Sequence, residues 1–419
     1  MPGPGPIESE QMTVSAPVSE APRTRTPRYG WAVLALAVGG FAIGTTEFQT
    51  MGILPEVARG VGVSVPTAGH VISAYALGVV VGVPILSLFG AALPRKGLLL
   101  ALMGAYGAFN LLSAVASSYG LLFLARFLDG LPHGAYFGVA SLVAASLADP
   151  RHRGRAVARV MLGLSVANVV GVPVSTWLGE HAGWRAPYVV SAVLAAITVT
   201  MVWRFVPQTS AVPGATGRRE ARAFFTNAQV WLTMVAGALG FGGLFATYSY
   251  IAKTVTTVAH LAQGWTPVFV LGFGLGMVAG TWLAGELARW SVLKTLVLFS
   301  AGSIGVMLVY WLVAPVGWLL WPVVFLVTLI GSVVATSMQV RLMDVAGDAV
   351  TLGAAMMHAA LNMANALGAW IGAVVIDAGY SYRAPALAGA GLAVIGVVIL
   401  LGSVSLHRRT VAETAELVG

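Results

Sequence analysis

A single acidic residue lies within the first long apolar run of the sequence. Glu47 is the only ionisable side chain between Trp31 and Pro55. A charge is costly in such surroundings, so an acid there is a functional candidate by default, and proton binding is the chemistry it offers. In a helix, Gly40 and Gly44 share its face, where another helix or a cavity can come close. We therefore expect Glu47 to point into protein. The alternative is an acid that only holds two helices together.

A second polar set lies in the apolar run from 119 to 147. Arg126, Asp129, His133 and Phe137 are spaced three or four residues apart, so a helix places them on one face. Counting 1.5 Å per residue from the ends of the two runs puts Arg126 about 10 Å and Glu47 about 12 Å below the same surface. Two interpretations stay open, because buried ion pairs are ambiguous. Arg126 and Asp129 either take part in proton coupling with Glu47 or form a purely structural pair.

A third set of side chains offers hydrogen bonds and aromatic surface to a solute. His358, Asn362 and Asn365 share one face of a late apolar run, and Asn168 lies in an earlier run. For any one asparagine, a hydrogen bond between helices is the simpler interpretation. Taken together, the set predicts a polar-lined cavity. The predicted substrate-binding residues are Glu47, Tyr75, His133, Tyr136, Phe137, Asn168, Tyr248, Met338, His358, Asn362 and Asn365.

The composition requires a membrane protein. Hydrophobic residues make up 58% of the 419 residues and charged residues 9%, whereas soluble domains carry about 25% charged residues. The chain has no cysteine, which excludes disulfides, zinc–thiolate sites and a catalytic thiol. It also has no nucleotide-binding glycine loop, zinc-protease motif or nucleophile elbow. We therefore expect no enzyme, cofactor, metal site or nucleic-acid partner.

Twelve apolar runs have the length of about 20 residues that a membrane helix needs. They lack the alternation of barrel strands, so helices are the only suitable structure. The sequence therefore predicts an all-α membrane protein with twelve transmembrane helices. We place the runs near 30–54, 69–92, 97–117, 119–147, 156–180, 186–206, 229–252, 265–288, 293–313, 316–342, 350–377 and 384–406.

Lysine and arginine predict the orientation and the division of the chain. One side collects 18 of these residues and the other side 4, with Arg126 left inside a run. Positive residues favour the cytoplasmic side, so both termini should be cytoplasmic in a multi-pass protein of a bacterial-type cytoplasmic membrane. The expected parts are a disordered cytoplasmic tail, a six-helix bundle, a cytoplasmic linker, a second six-helix bundle and a cytoplasmic tail, over 1–29, 30–206, 207–228, 229–406 and 407–419.

The two halves of the sequence resemble each other. The motif ANxxG at 167–171 recurs at 364–368, an offset of 197, and RAP at 185–187 recurs at 383–385, an offset of 198. Each half holds six runs, so the two copies have the same orientation in the membrane. The sequence therefore predicts two six-helix bundles related by a parallel repeat.

The first half resembles a known family. Residues 44–84 (GTTEFQTMGILPEVARGVGVSVPTAGHVISAYALGVVVGVP), 125–139 (ARFLDGLPHGAYFGV) and 160–178 (VMLGLSVANVVGVPVSTWL) carry the likeness. They are similar to the twelve-span drug:proton antiporters of the major facilitator superfamily. Within these, they resemble the arabinose and sugar-efflux-permease (AraJ-like) branch, near bacterial chloramphenicol exporters. The second half matches mainly in its overall pattern.

Individual motifs of that family are met to different degrees. Arg126 and Gly130 meet the Arg-x-x-x-Gly signature of the fourth span, and Glu47 meets the acidic position of the first span. The Gly-Pro turn of the fifth span is met in part, because Val172 separates the glycine from the proline. The loop after the second span keeps only an Arg-Lys pair of the family's charged motif and lacks its aspartate.

The resemblance implies a proton-coupled antiporter that exports a small organic molecule such as a drug or a sugar. Two halves would rock about a central cavity, with Glu47 as the proton carrier and Arg126 influencing its protonation. The expected partners are the solute, protons and the lipid bilayer, with the monomer as the working unit. A proton-driven importer of a sugar or nutrient on the same fold is the main alternative. A membrane enzyme or sensor fits less well, because no nucleophile–base set, metal cluster or extra soluble domain is visible.

Overall fold

The computed structural model describes residues 27–90, 93–149, 153–208, 222, 224–288, 290–347 and 350–418. Within these ranges every regular element is a helix. The predicted all-α class is therefore confirmed. The tail predicted over 1–29 and the linker predicted over 207–228 lie largely outside the described residues.

Twelve long helical spans run through the described part of the chain. Eleven are long and apolar enough to cross a membrane. The remaining one, the fourth span, has 29 residues, and its Arg126, Asp129 and His133 lower its mean hydropathy. The prediction of twelve transmembrane helices is thus confirmed. In chain order the spans are Pro27–Gly52, Val65–Gly90, Arg95–Ala114, Tyr119–Leu147, Arg153–Val166 with its continuations Ala167–Gly171 and Val172–Ala182, Ala186–Phe205, Ala228–Tyr248, Thr266–Ala288, Val292–Val313, Leu320–Val345, Val350–Asp377 and Pro385–Val418.

The sequence explains where these spans begin, end or change. The first span is followed by a short helix, Leu54–Val61, which has a proline in its first turn and ends at Gly62 with a φ of 72°. Glycine adopts this left-handed conformation without steric cost. The last helix continues to Val418, so most of 407–419, predicted as a tail, is helical. Its alanines, glutamates and arginines are good helix formers.

The fifth span contains a π-helical turn, Ala167–Gly171. Pro173 follows two residues later and has no N–H to donate to the carbonyl of Val169, so the regular α-helical hydrogen bond cannot form there. Such turns widen the helix and occur frequently at functional sites. This turn contains Asn168, one of the predicted substrate-binding residues.

The repeat seen in the sequence is also a repeat in three dimensions. Gly82 of the second span lies against the backbone carbonyl of Leu131, and a Cβ there would come within 2.1 Å of the oxygen. Gly280 of the eighth span lies in the same way against Leu329, at 2.2 Å. Both partners of the second contact lie 198 positions after those of the first. The predicted parallel repeat is therefore confirmed.

The two halves meet through the second and eleventh spans and through the fifth and eighth spans. We call the side where the first span begins and the last span ends the terminal side, and the opposite side the far side. Toward the far side, Gln263 Nε2 donates to Glu56 Oε1 over 2.6 Å and Ser73 Oγ donates to the Ala366 carbonyl over 2.9 Å. These hydrogen bonds join the two halves toward the far side.

Candidate functional site

A closed ring of hydrogen bonds joins the first, third and fourth spans. Arg126 donates through Nη1 to Asp129 Oδ2 over 2.6 Å and through Nη2 to the Thr46 carbonyl over 3.3 Å. Asn110 Nδ2 donates to the other oxygen of Asp129 over 2.8 Å. The Thr46 hydroxyl closes the ring by donating to Asn110 Oδ1 over 3.4 Å. We call these four residues the polar ring.

The charged pair of the polar ring is completely buried. Arg126 and Asp129 are both 0% exposed. The guanidinium lies 4.3 Å from the centre of the Tyr75 ring and 5.4 Å from that of Tyr188, an arrangement in which aromatic faces stabilise a cation. The predicted ion pair on one helix face is therefore present. It means that Asp129, and not Glu47, directly compensates the charge of Arg126.

Glu47 lies next to the polar ring, on the interface between the halves. Its side chain is 8% exposed, and its Oε2 lies 4.0 Å from His133 Nε2. The other nitrogen of His133 is 2.8 Å from the Tyr75 hydroxyl. From the second half, the Asn362 side chain interacts with the Glu47 carboxyl, and Arg126 acts on it through space. The carboxyl can therefore gain or lose a proton without breaking a direct arginine pair, at a place where it interacts with a side chain of the opposite half.

Rings from both halves stack beside Glu47. Phe137 and His358 are parallel within 2° with their centres 5.4 Å apart, and His133 lies 6.1 Å from His358. Tyr136 does not join this stack. Its hydroxyl donates to the Leu36 carbonyl over 3.0 Å, and its ring is buried within the first half. The structure thus places Phe137 and the two histidines together, while Tyr136 meets only the edge of this group, with its ring 6.0 Å from that of Phe137.

The predicted asparagines carry buried polar atoms without hydrogen-bond partners in the described part of the chain. Asn168 Nδ2 donates to the Leu164 carbonyl over 2.9 Å, and Asn362 Nδ2 donates to the His358 carbonyl over 3.1 Å. The amide oxygens of both remain unpaired, as do both polar atoms of Asn365. A buried unpaired group costs about 1–3 kcal/mol. A solute that supplied the missing partners would recover that free energy.

The remaining predicted residues of the second half, Tyr248 and Met338, have different surroundings. Tyr248 stacks on Phe273 with the ring centres 3.5 Å apart, and Phe48 of the first half packs on its edge. Met338 packs against Gly237 within the second half. Tyr248 therefore lies at the interface, next to the residue that follows Glu47, while Met338 supports the seventh span.

Sequence reasoning missed Asn110 and Thr46. Asn110 is the only asparagine in the third apolar run and is fully buried. A lone amide within an apolar run is itself a signal and would have found Asn110, whereas Asn168 was singled out through the repeated ANxxG motif. Thr46 gave no such signal, because its role depends on a backbone carbonyl as well as on its hydroxyl.

The second half has no counterpart of the charged pair. At the repeat offset of 198, Arg126 corresponds to Val324, Asp129 to Val327 and Tyr75 to Phe273. A small cavity occupies this part of the second half, and its lining includes Tyr248, Phe273, Tyr310, Val324 and Val327. The second half thus makes the same glycine contacts between helices without charges at these two positions.

Comparison with known proteins yields relatives of similar length. The chain is 36% identical over 401 residues to the inner membrane transport protein YdhP of Escherichia coli (strain K12), covering 92% of this chain and 98% of the relative. It is 33% identical over 386 residues to the putative transporter AraJ of the same organism, covering 91% and 97%. It is 32% identical over 348 residues to a chloramphenicol resistance protein of Streptomyces lividans, covering 81% and 88%. These relatives confirm the predicted resemblance.

The fold and the family agree with these relatives. A crystal structure of the nucleoside transporter NupG superimposes with a TM-score of 0.68 at 12% identity, covering 90% of this chain and 99% of that one. The family model of the Major Facilitator Superfamily matches residues 36–355, which is most of the described chain. The chain therefore belongs to the major facilitator superfamily of membrane transporters.

Proposed function

We propose that this transporter is a proton-coupled exporter of a small organic molecule and that Glu47 carries the proton. One observation supports this proposal above all. The second half makes the same helix contacts with Val324 and Val327 where the first half has Arg126 and Asp129. Charges at these two positions are therefore not needed to pack the bundle, and they are costly in a membrane. A role in coupling accounts for them.

The position of Glu47 supports a link between proton binding and movement of the halves. Its carboxyl lies in the first half, and the Asn362 side chain that interacts with it lies in the second. A change of protonation alters what the carboxyl can donate or accept across the interface. It therefore favours one arrangement of the halves over the other, as a ligand with different affinities for two states does. Solute arriving from inside would favour release of the proton, so solute and proton would move in opposite directions.

The interface favours a solute that is neutral and forms hydrogen bonds. The unpaired amide atoms of Asn168, Asn362 and Asn365 offer donors and acceptors, and the ring stack of Phe137 and His358 offers flat apolar surface. Export is favoured by the chloramphenicol resistance relative. Import of a sugar or nutrient is the second candidate. Counterflow in inverted vesicles distinguishes the two, because an exporter accumulates solute when the vesicle interior is acidic.

Glu47→Gln tests the proposal, because it keeps shape and hydrogen bonding but removes ionisation. With one proton exchanged per solute, a difference of one pH unit is worth about 1.36 kcal/mol and supports about tenfold accumulation at equilibrium. We expect the Gln variant to fold, to exchange solute and to show no accumulation. Glu47→Asp should retain part of the coupling, since it keeps the acid and shortens the reach by one methylene.

The measurement is solute-induced pH change in proteoliposomes. Glu56→Gln is the matched control, because Glu56 is also an acid of the first half with 8% exposure but lies near the far side. It should retain proton exchange even if the transport rate changes. A Glu47→Gln protein that still exchanges protons for solute would refute the role of Glu47 and leave an acid that only holds helices together.

A further inference from the structure

We infer that Asn110 is a positioning residue that keeps Arg126 paired with Asp129 and so leaves Glu47 free to exchange its proton. The consequence for transport rests on the proposed function, whereas the effect on Glu47 does not. Asn110 lies in the third span, which contributes none of the residues that the resemblance assigns. Its hydrogen bonds in the described chain join it to Asp129, Thr46 and Tyr106 and not to the Glu47 side chain, so it acts through its neighbours.

The Asn110 amide is held on both of its polar atoms. Nδ2 donates to Asp129 Oδ1 over 2.8 Å and to the Tyr106 carbonyl of its own helix over 3.0 Å. Oδ1 accepts from the Thr46 hydroxyl. The residue is 0% exposed, so no bulk water replaces these partners. An amide fixed at both ends fixes the carboxylate that it binds.

This arrangement determines which carboxylate pairs with Arg126. Asn110 occupies Oδ1 of Asp129 and thereby directs Oδ2 at Arg126 Nη1. The other arm of the guanidinium already reaches the carbonyl of Thr46, the residue before Glu47. Glu47 is therefore the alternative acid within reach of Arg126. An arginine pair would favour the charged carboxylate and oppose proton binding.

The helices of this bundle can pack without the polar ring. At the offset of 198, the positions of Arg126 and Asp129 hold Val324 and Val327, and Tyr310 of the ninth span lies beside them. The second and fourth spans pack as the eighth and tenth do, with glycine against a carbonyl in both halves. The polar ring thus adds an electrostatic arrangement to a bundle that forms without one.

Several titratable or polar groups face Glu47, and a test must separate their effects. The fourth span contributes Arg126, Asp129 and His133. The second span contributes Tyr75, which interacts electrostatically with Glu47. The eleventh span contributes Asn362, with His358 stacked behind His133. Of these groups in the described chain, Asn110 forms a hydrogen bond only with Asp129, so its removal changes the partner of Arg126 first.

The experiment measures protonation of Glu47 directly in the full-length protein in lipid vesicles. A hydrophobic carbodiimide modifies protonated carboxyl groups, and mass spectrometry of the peptide that contains Glu47 gives the extent of modification against pH. In Asn110→Ala we expect the midpoint of this profile to move to lower pH by about one to three units, the effect of an arginine newly paired with an acid. Ser113→Ala is the matched control, because this buried hydroxyl of the same span donates only to the Phe109 carbonyl. Its midpoint should equal that of the unchanged protein.

A second variant allows the same measurement if the Asn110→Ala protein does not accumulate in the membrane. Asp129→Asn removes the competing carboxylate and should produce the same shift, and Asn110→Ala added to it should shift the midpoint no further. An unchanged midpoint in folded Asn110→Ala or Asp129→Asn overturns the proposal, as does a further shift in the double variant. The assay needs no transported solute. A shifted midpoint in a protein whose Glu47→Gln variant still exchanges protons would leave the positioning role standing and refute the proposed function alone.

Discussion

Removing one partner of the buried pair should cost much more than removing both. Arg126→Met leaves Asp129 Oδ2 without its partner at 2.6 Å and also removes the bond to the Thr46 carbonyl. Asp129→Leu leaves a guanidinium that is 0% exposed. Breaking such a pair costs about 3–5 kcal/mol, whereas replacing both partners by apolar residues is often close to neutral. We therefore expect each single variant to lose about 3–5 kcal/mol of unfolding free energy and the double variant to lose less than either.

The second half supports this expectation, since it already carries Val324 and Val327 at the equivalent positions. Reversible unfolding in mixed dodecyl sulfate and maltoside micelles, followed by circular dichroism, provides the free energies for the double-mutant cycle. The coupling between the two sites should be about 3 kcal/mol or more. Losses that simply add in the double variant would mean that the two charges are stabilised independently, and the account of a neutralised pair would be wrong.

Two further predictions concern the solute path and the orientation. Asn168→Leu and Asn365→Leu should each weaken solute binding more than they lower the amount of folded protein, because each removes a buried amide with an unpaired atom. Calorimetry measures the binding. Normal binding by both variants would mean that these residues only form contacts between helices. The chain has no cysteine, so single cysteines at Arg25, Ala215 and Ala412 can report topology. All three should resist a membrane-impermeant thiol reagent on intact cells. Labelling of any of them without lysis would contradict the predicted cytoplasmic location of these residues.

Much of the fold and part of the site follow from periodicity and charge. The apolar runs locate the spans to within a few residues, except that the last helix extends to Val418. Counting 1.5 Å per residue places Glu47 and Arg126 at similar depths. The structure agrees, since Arg126 binds the carbonyl of the residue before Glu47. These features are predictable because the membrane imposes length, and helix geometry imposes depth.

Features that depend on packing between helices were not predictable. From His133, a rotation of about 100° per residue places Tyr136 about 60° to one side and Phe137 about 40° to the other. Periodicity therefore does not distinguish the two rings, and the Leu36 carbonyl of the first span determines that Tyr136 turns away. The repeat made Asn168 and Asn365 equivalent, yet only the first lies in a π-helical turn. The position matching Pro173 is Trp370, which retains its N–H.

The confinement of the polar ring to one half has a consequence for how new specificities can arise. If Glu47 carries the proton, the residues that couple transport to the proton belong to spans 1, 3 and 4. Asn362 is the side chain of the second half that interacts with Glu47. Substitutions in the second half can then change its surface at the interface while Glu47 and the polar ring stay unchanged. Chimaeras that exchange residues 229–406 between relatives should therefore keep the proton stoichiometry of the first-half donor. The same proton-binding residues could then drive the transport of different solutes in different relatives.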